Sequence, residues 1–150
     1  MIHLVSVLSL LLALLATSQA SVDFAQGDAA YRQGDYGTAL REFRPLAEQG
    51  DARAQARLGL LYYQGDGVPQ DFIEALIWLR KAAQQGNAPA QARLGEVYHW
   101  GRGVPQDDEM AAKFYRAAAT RNHAHAQTML AELYAFGQGV THDDAEALMW

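Results

Sequence analysis

The chain has 150 residues, half of them hydrophobic, a formal charge of −5 and no cysteine. That is the size and apolar content of one globular domain and excludes a disordered chain. Only two lysines occur, Lys81 and Lys113, so no basic stripe is present to hold nucleic acid; the lack of cysteine removes disulfides, thiolate zinc sites and cysteine nucleophiles.

Leu4 to Ala16 is a leucine-rich apolar run broken only by Ser6 and Ser9. Thr17-Ser18-Gln19-Ala20 follows, with small residues at the −3 and −1 positions of a cut after Ala20. This pattern predicts a secretory signal peptide over residues 1–20, although His3 and the terminal amine are its only basic groups. The run is too short to cross a hydrocarbon core of about 30 Å comfortably, so no transmembrane segment is expected after cleavage. No cysteine lies near the cut to carry a lipid.

Residues 21–49 read as a degenerate first repeat. A helix is expected from Phe24 to Gln33 with Asp23 as its N-cap, then a tight break at Gly34-Asp35. A second helix is expected over Tyr36 to Glu48, with Leu40, Phe43, Leu46 and Ala47 at helical spacing. Tyr31 to Ala39 is a step of 8, against 13 from Tyr62 to Ala75 and from Tyr98 to Ala111, so the first hairpin has a shorter turn.

From Gly50 onward one unit recurs over residues 50–85, 86–121 and, incompletely, 122–150. Gln55, Gln91 and Gln127 are 36 apart, and so are Leu58, Leu94 and Leu130, and Gly67, Gly103 and Gly139. Each unit reads as a helix–loop–helix hairpin. Asp51, Asn87 or Asn122 opens the first helix, and a Gly-x-Gly-Val turn ends it. Asp71, Asp107 or Asp143 caps the second helix, whose apolar stripe is Ala75, Trp78, Leu79 and Ala82 and then Ala111, Phe114, Tyr115 and Ala118. Gly86 closes it, and Asn122 takes that place one unit later. Gly59, Gly95 and Ala131 let helices approach closely. One hairpin cannot bury its own face, so the units must stack. Leu133, Phe136, Leu148 and Trp150 are expected to lack a further neighbour, leaving an apolar end open to self-association.

The residues Ala54, Leu58-Gly59, Tyr62, Gly65-Asp66-Gly67-Val68, Asp71, Ala75, Trp78, Lys81-Ala82-Ala83 and Gly86 resemble the Sel1-like repeats, relatives of the tetratricopeptide repeats. The next unit carries the likeness through Ala90, Leu94-Gly95, Tyr98, Gly101-Arg102-Gly103-Val104, Asp107, Ala111, Phe114 and Ala117-Ala118-Ala119. The resemblance spans roughly residues 27–150; Phe114, Ala131 and Thr141 depart from it, and the first unit is closer to a tetratricopeptide repeat. It implies an all-α fold, a right-handed α-solenoid whose first helices line a concave face. It also implies a secreted bacterial adaptor, most simply periplasmic, with a protein or peptide partner in the envelope.

Positions that repeat are structural, so binding residues are sought where the units differ. The varying stripe on the first helices is Arg53, Arg57, Leu60 and Gln64, then Pro89, Arg93, Glu96 and Trp100, then His125, Met129, Glu132 and Phe136, with Tyr63 and His99 bordering it. Arginine and large aromatics dominate binding hot spots. The stripe therefore predicts a groove for a protein segment, with Arg57 and Arg93 taking a carboxylate and Trp100 an apolar anchor. The competing reading is that Arg93 and Glu96 pair at i, i+3 on a solvated face.

The sequence does not call for catalysis, a cofactor or a metal. His123 and His125 point in different directions on one helix, and His142 brings no ordered carboxylate set with it. Gly65-Asp66-Gly67 lacks the strand, third glycine and lysine of a phosphate loop. Relatives that look like β-lactam binders or hydrolases would need Ser-x-x-Lys, and Ser21 is the single serine beyond the leader. Glu96 and Glu132 hold equivalent positions, the one arrangement here that resembles a glycosidase carboxylate pair.

Overall fold

A computed structural model describes the backbone of residues 2–150 and the side chains of these except residues 2–6, 17 and 20–22. Met1 and the Ala20 side chain at the expected cut lie outside the described residues. Among the described residues there are eight helices and no strand: α1 (Ile2–Arg32), α2 (Tyr36–Glu48), α3 (Ala52–Gln64), α4 (Phe72–Gln84), α5 (Ala88–Trp100), α6 (Asp108–Ala119), α7 (Ala124–Phe136) and α8 (Asp144–Met149). Each helix packs on the next, and α5 also touches α7, so first helices of neighbouring units lie side by side in an all-helical solenoid.

Local chemistry sets the helix ends. Asp51 and Asn87 accept from free N–H groups at the starts of α3 and α5, and Asp71, Asp107 and Asp143 do so for α4, α6 and α8. Two expected caps are corrected. Asp23 is not an N-cap, because α1 runs through it from the apolar segment, leaving no free N–H groups there to cap. Asn122 does not cap α7; it sits at φ 60°, in the place of Gly86, and His123 caps instead, its Nδ1 accepting from Ala126 N–H at 3.3 Å. The 36-residue register puts His123 after Asn87 and Asp51, an alignment hidden because Asn122, one residue earlier, is the commoner N-cap type.

The hairpins close on small residues. A Cβ on Gly59 would lie 2.8 Å from Leu79 Cγ, and one on Gly95 would lie 2.6 Å from the Tyr115 ring, so neither helix pair tolerates a side chain there. In the first unit Gly27 meets Phe43 in the same way. Tyr31 stacks edge-on to Tyr36 as Tyr63 does to Phe72. The first unit therefore aligns Tyr31 with Tyr63, not with Tyr62, and its turn is shorter by four residues.

Two sets of side-chain contacts tie each unit to the next. Gln55, Gln91 and Gln127 donate through Nε2 to the carbonyls of Ala47, Ala83 and Ala119 at 3.1, 3.1 and 3.2 Å, satisfying a carbonyl that the preceding helix end leaves free. Arg44 and Arg80 each donate to the phenol oxygen of Tyr62 and Tyr98 at 2.7 Å, and Arg116 does the same to Tyr134. The three arginines share the 36-residue period. At the far end the expectation holds in part. Phe136 and Leu148 are 74% and 89% exposed, but Leu133 is buried, because it packs within the last core cluster among Leu130, Ala126 and Tyr115.

Candidate functional site

The first helices of three successive units border a cleft of about 260 Å³. Its apolar floor is Phe24 of α1, Ala56 and Leu60 of α3, Leu79 of α4, and Pro89 and Ala90 of α5. Arg53, Arg57 and Arg93 rise around it. Five residues of the predicted stripe are thus brought together: Arg53, Arg57, Leu60, Pro89 and Arg93.

Each arginine is held by a carboxylate and an aromatic face. Arg53 pairs with Asp51 at 2.8 Å and lies 4.3 Å over the Phe24 ring. Hydrogen bonds from Arg53 and from the helix N–H groups hold the Asp51 carboxyl below its usual value against the opposing effect of burial. Arg57 pairs with Asp28 at 2.5 Å and lies 5.1 Å over Tyr31; Asp28, a buried acid that also takes Arg32, gave no signal in the sequence because the first unit is out of register with the others. Arg93 pairs with Glu96 and lies 5.2 Å over Tyr63, so the i, i+3 pairing is formed. Tyr63 is only 5% exposed, packed in the core with Leu76, Leu79 and Leu94 beneath the guanidinium groups of Arg93 and Arg102, and is not an open contact residue.

Beyond Arg93 the groove changes character. His125 Nε2 of α7 lies 3.0 Å from Glu96 Oε1, joining two units through one carboxylate. Tyr115 takes the place that Leu79 has one unit earlier and brings a hydroxyl into the core against Gly95. That hydroxyl is buried and has no hydrogen-bond partner among the described residues. Burial holds the phenol well above its ordinary value, with Glu96 adding to the effect.

The other predicted residues lie apart. His99 Nδ1 is 2.6 Å from Asp108 Oδ1, facing the second helix. Trp100 is 61% exposed, edge-on to the His99 ring at 4.5 Å, and does not line the cleft. Met129 is half-buried against the last core cluster, and Glu132 and Phe136 are exposed outside the cleft. His142 lies 3.2 Å from Asp144, while His123 caps α7 and His125 meets Glu96, and no metal-holding cluster occurs among the described residues. Glu96, held between Arg93 and His125, has neither oxygen free to act as a general acid.

A helical solenoid with a groove along its first helices is the architecture of a repeat scaffold. The Sel1 repeat profile matches residues 52–87, 88–123 and 124–150, more than half of the sequence. The chain belongs to the Sel1 repeat family. It is similar to a solved protective antigen of uropathogenic Escherichia coli with an SLR fold, at 31% identity and a TM-score of 0.81 over 90% of this chain and 30% of that one. It is similar also to a Sel1 repeat protein of Oxalobacter formigenes, at 34% identity and a TM-score of 0.81 over 90% of this chain and 57% of that one. The chain thus spans less than two thirds of either. No curated protein matches it. Sel1 repeat proteins generally act as protein-interaction scaffolds.

Proposed function

We propose that the chain is a non-catalytic scaffold of the bacterial cell envelope that holds a segment of a partner protein in the groove along its first helices. The observation that carries this reading is the cleft: apolar on its floor and ringed by Arg53, Arg57 and Arg93, the combination that anchors peptide side chains. The signal peptide expected from the sequence over residues 1–20 supports the envelope location. Residues 7–16 are exposed along their length, and no residue before Phe24 belongs to the core clusters among the described residues. A cut after Ala20 would therefore leave the packed part of α1 intact. Among the described residues no helix is long and apolar enough to cross a membrane.

Leu60→Glu tests the groove. The next unit, residues 86–121, carries Glu96 at that position, so the fold accepts the change while the cleft floor gains a charge. Capture of the envelope partner by the tagged chain is lost with the helical content unchanged; undiminished capture refutes the groove. A second reading, self-association, is favoured by one observation, the exposed Phe136, Leu148 and Met149 at the far end. Light scattering on the chain decides it, since a strict monomer rules self-association out.

A further inference from the structure

We infer that Arg93 is the one groove arginine built to change partners, and that the segment it takes carries an apolar side chain and, close by in sequence, a carboxylate. The inference rests on the groove being a binding surface and names the chemistry of its occupant.

The three arginines differ in what each would leave behind. Asp28, the partner of Arg57, has a side chain only 9% exposed, and a buried carboxylate that loses one of its two cations pays heavily. Asp51, the partner of Arg53, caps α3 while it binds the guanidinium, and Arg53 is further fixed over Phe24. Glu96 is placed differently. It already has a second partner in His125, whose Nε2–H donates to Oε1. A donor with no partner among the described residues is the buried Tyr115 hydroxyl, whose ring packs against Gly95, the residue before Glu96, and whose phenol feels the Glu96 charge more than any other.

Arg93 is therefore released without leaving a buried charge alone. When a ligand carboxylate takes the guanidinium, Glu96 keeps His125 and accepts from the Tyr115 O–H. One ion pair is exchanged for another, and a hydroxyl left unsatisfied in the empty groove becomes satisfied in the occupied one. Arg93 also borders the apolar cleft, so a ligand that reaches it places its neighbouring side chain on Leu60, Leu79 and Pro89. The charged residues that line the cleft are Arg53, Arg57 and Arg93, with no carboxylate among its lining residues, so an occupant reaching Arg93 meets positive charge there.

The test uses the full chain and two pools of short fluorescent peptides. Both pools carry a fixed leucine; one has glutamate nearby in sequence and the other has glutamine there. The glutamate pool is expected to bind about tenfold more tightly, the worth of the hydrogen bond to a carboxylate that the Tyr115 hydroxyl gains, since the ion pairs exchange one for one. Arg93→Gln abolishes the preference and Arg53→Gln retains it. Tyr115→Phe keeps the ring and the melting temperature, and weakens the glutamate pool roughly fivefold while leaving the glutamine pool unchanged. Equal binding of the two pools, or a preference that survives Arg93→Gln, overturns the assignment and leaves the groove standing. Failure of both pools to bind overturns the groove with it. A preference unaltered by Tyr115→Phe overturns the exchange.

Discussion

His99 Nδ1 lies 2.6 Å from Asp108 Oδ1 at the place where the two preceding units set ring against ring, Tyr63 on Phe72 and Tyr31 on Tyr36. Three hairpins thus use one contact with two chemistries. The polar version needs both partners: His99 has a side chain only 11% exposed, so a lone imidazole there would be left unsatisfied. Asp108→Ala is expected to cost about 1–2 kcal/mol. Restoring the apolar pair with His99→Tyr and Asp108→Phe together should recover most of it, read as the coupling in a double-mutant cycle of urea midpoints.

Two turn glycines separate backbone strain from packing. Gly34 and Gly103 have nearly the same φ, 77° and 74°. A Cβ on Gly34 meets nothing within 4 Å, whereas one on Gly103 falls 2.5 Å from Phe72 Cβ of the preceding unit. Gly34→Ala should cost about 1 kcal/mol for the left-handed backbone, and Gly103→Ala should cost that plus about 1–3 kcal/mol of overpacking. Equal losses in thermal melts would show that the turn does not pack between units.

The arginine–tyrosine contacts link neighbouring hairpins. Tyr98→Phe removes the acceptor of Arg80 and nothing from the ring's stack on Phe114. Its expected cost is about 0.5–1.5 kcal/mol, with a broader denaturation curve because the coupling between units weakens. Hydrogen exchange should show the third unit opening before the first two.

Acid acts on His123. Burial, with His125 next to it, holds its pKa below the ordinary histidine value. The unfolded chain binds the proton first, at about 6.5, so this contribution is complete above that pH and is lost as pH falls towards the lower native value. Protonation also removes the Nδ1 acceptor that caps Ala126 N–H. Comparing urea midpoints at neutral and mildly acid pH should show a smaller drop for His123→Asn, which copies Asn87. An identical drop would clear His123 of any part in it.

The period was legible because packing and turn residues recur: Leu58, Gly67 and Asp71 return 36 and 72 residues later, and Gly59 returns as Gly95 before Ala131 replaces it. The partners of the groove were less so. Arg57 stood out as a varying charge, but Asp28 lies in a unit whose register is shifted by its short turn, so no spacing connected them. Arg93 and Glu96 are three apart on one helix and their pairing could be read directly. Tyr115 looked like any large residue on an apolar stripe; that its ring packs against Gly95 and its hydroxyl is buried without a partner among the described residues shows only in the structure. The continuation of α1 through Asp23 was hidden because the apolar run read as a separate leader.

The central claim is that the first-helix face, and not the outer one, holds a protein partner. A photo-crosslinking amino acid at Leu60, on the cleft floor, is compared with one at Ile77, which is 44% exposed on α4. The account predicts that irradiation of intact cells joins a protein segment to position 60 and not to position 77. Adducts from position 77 with none from position 60 would contradict it.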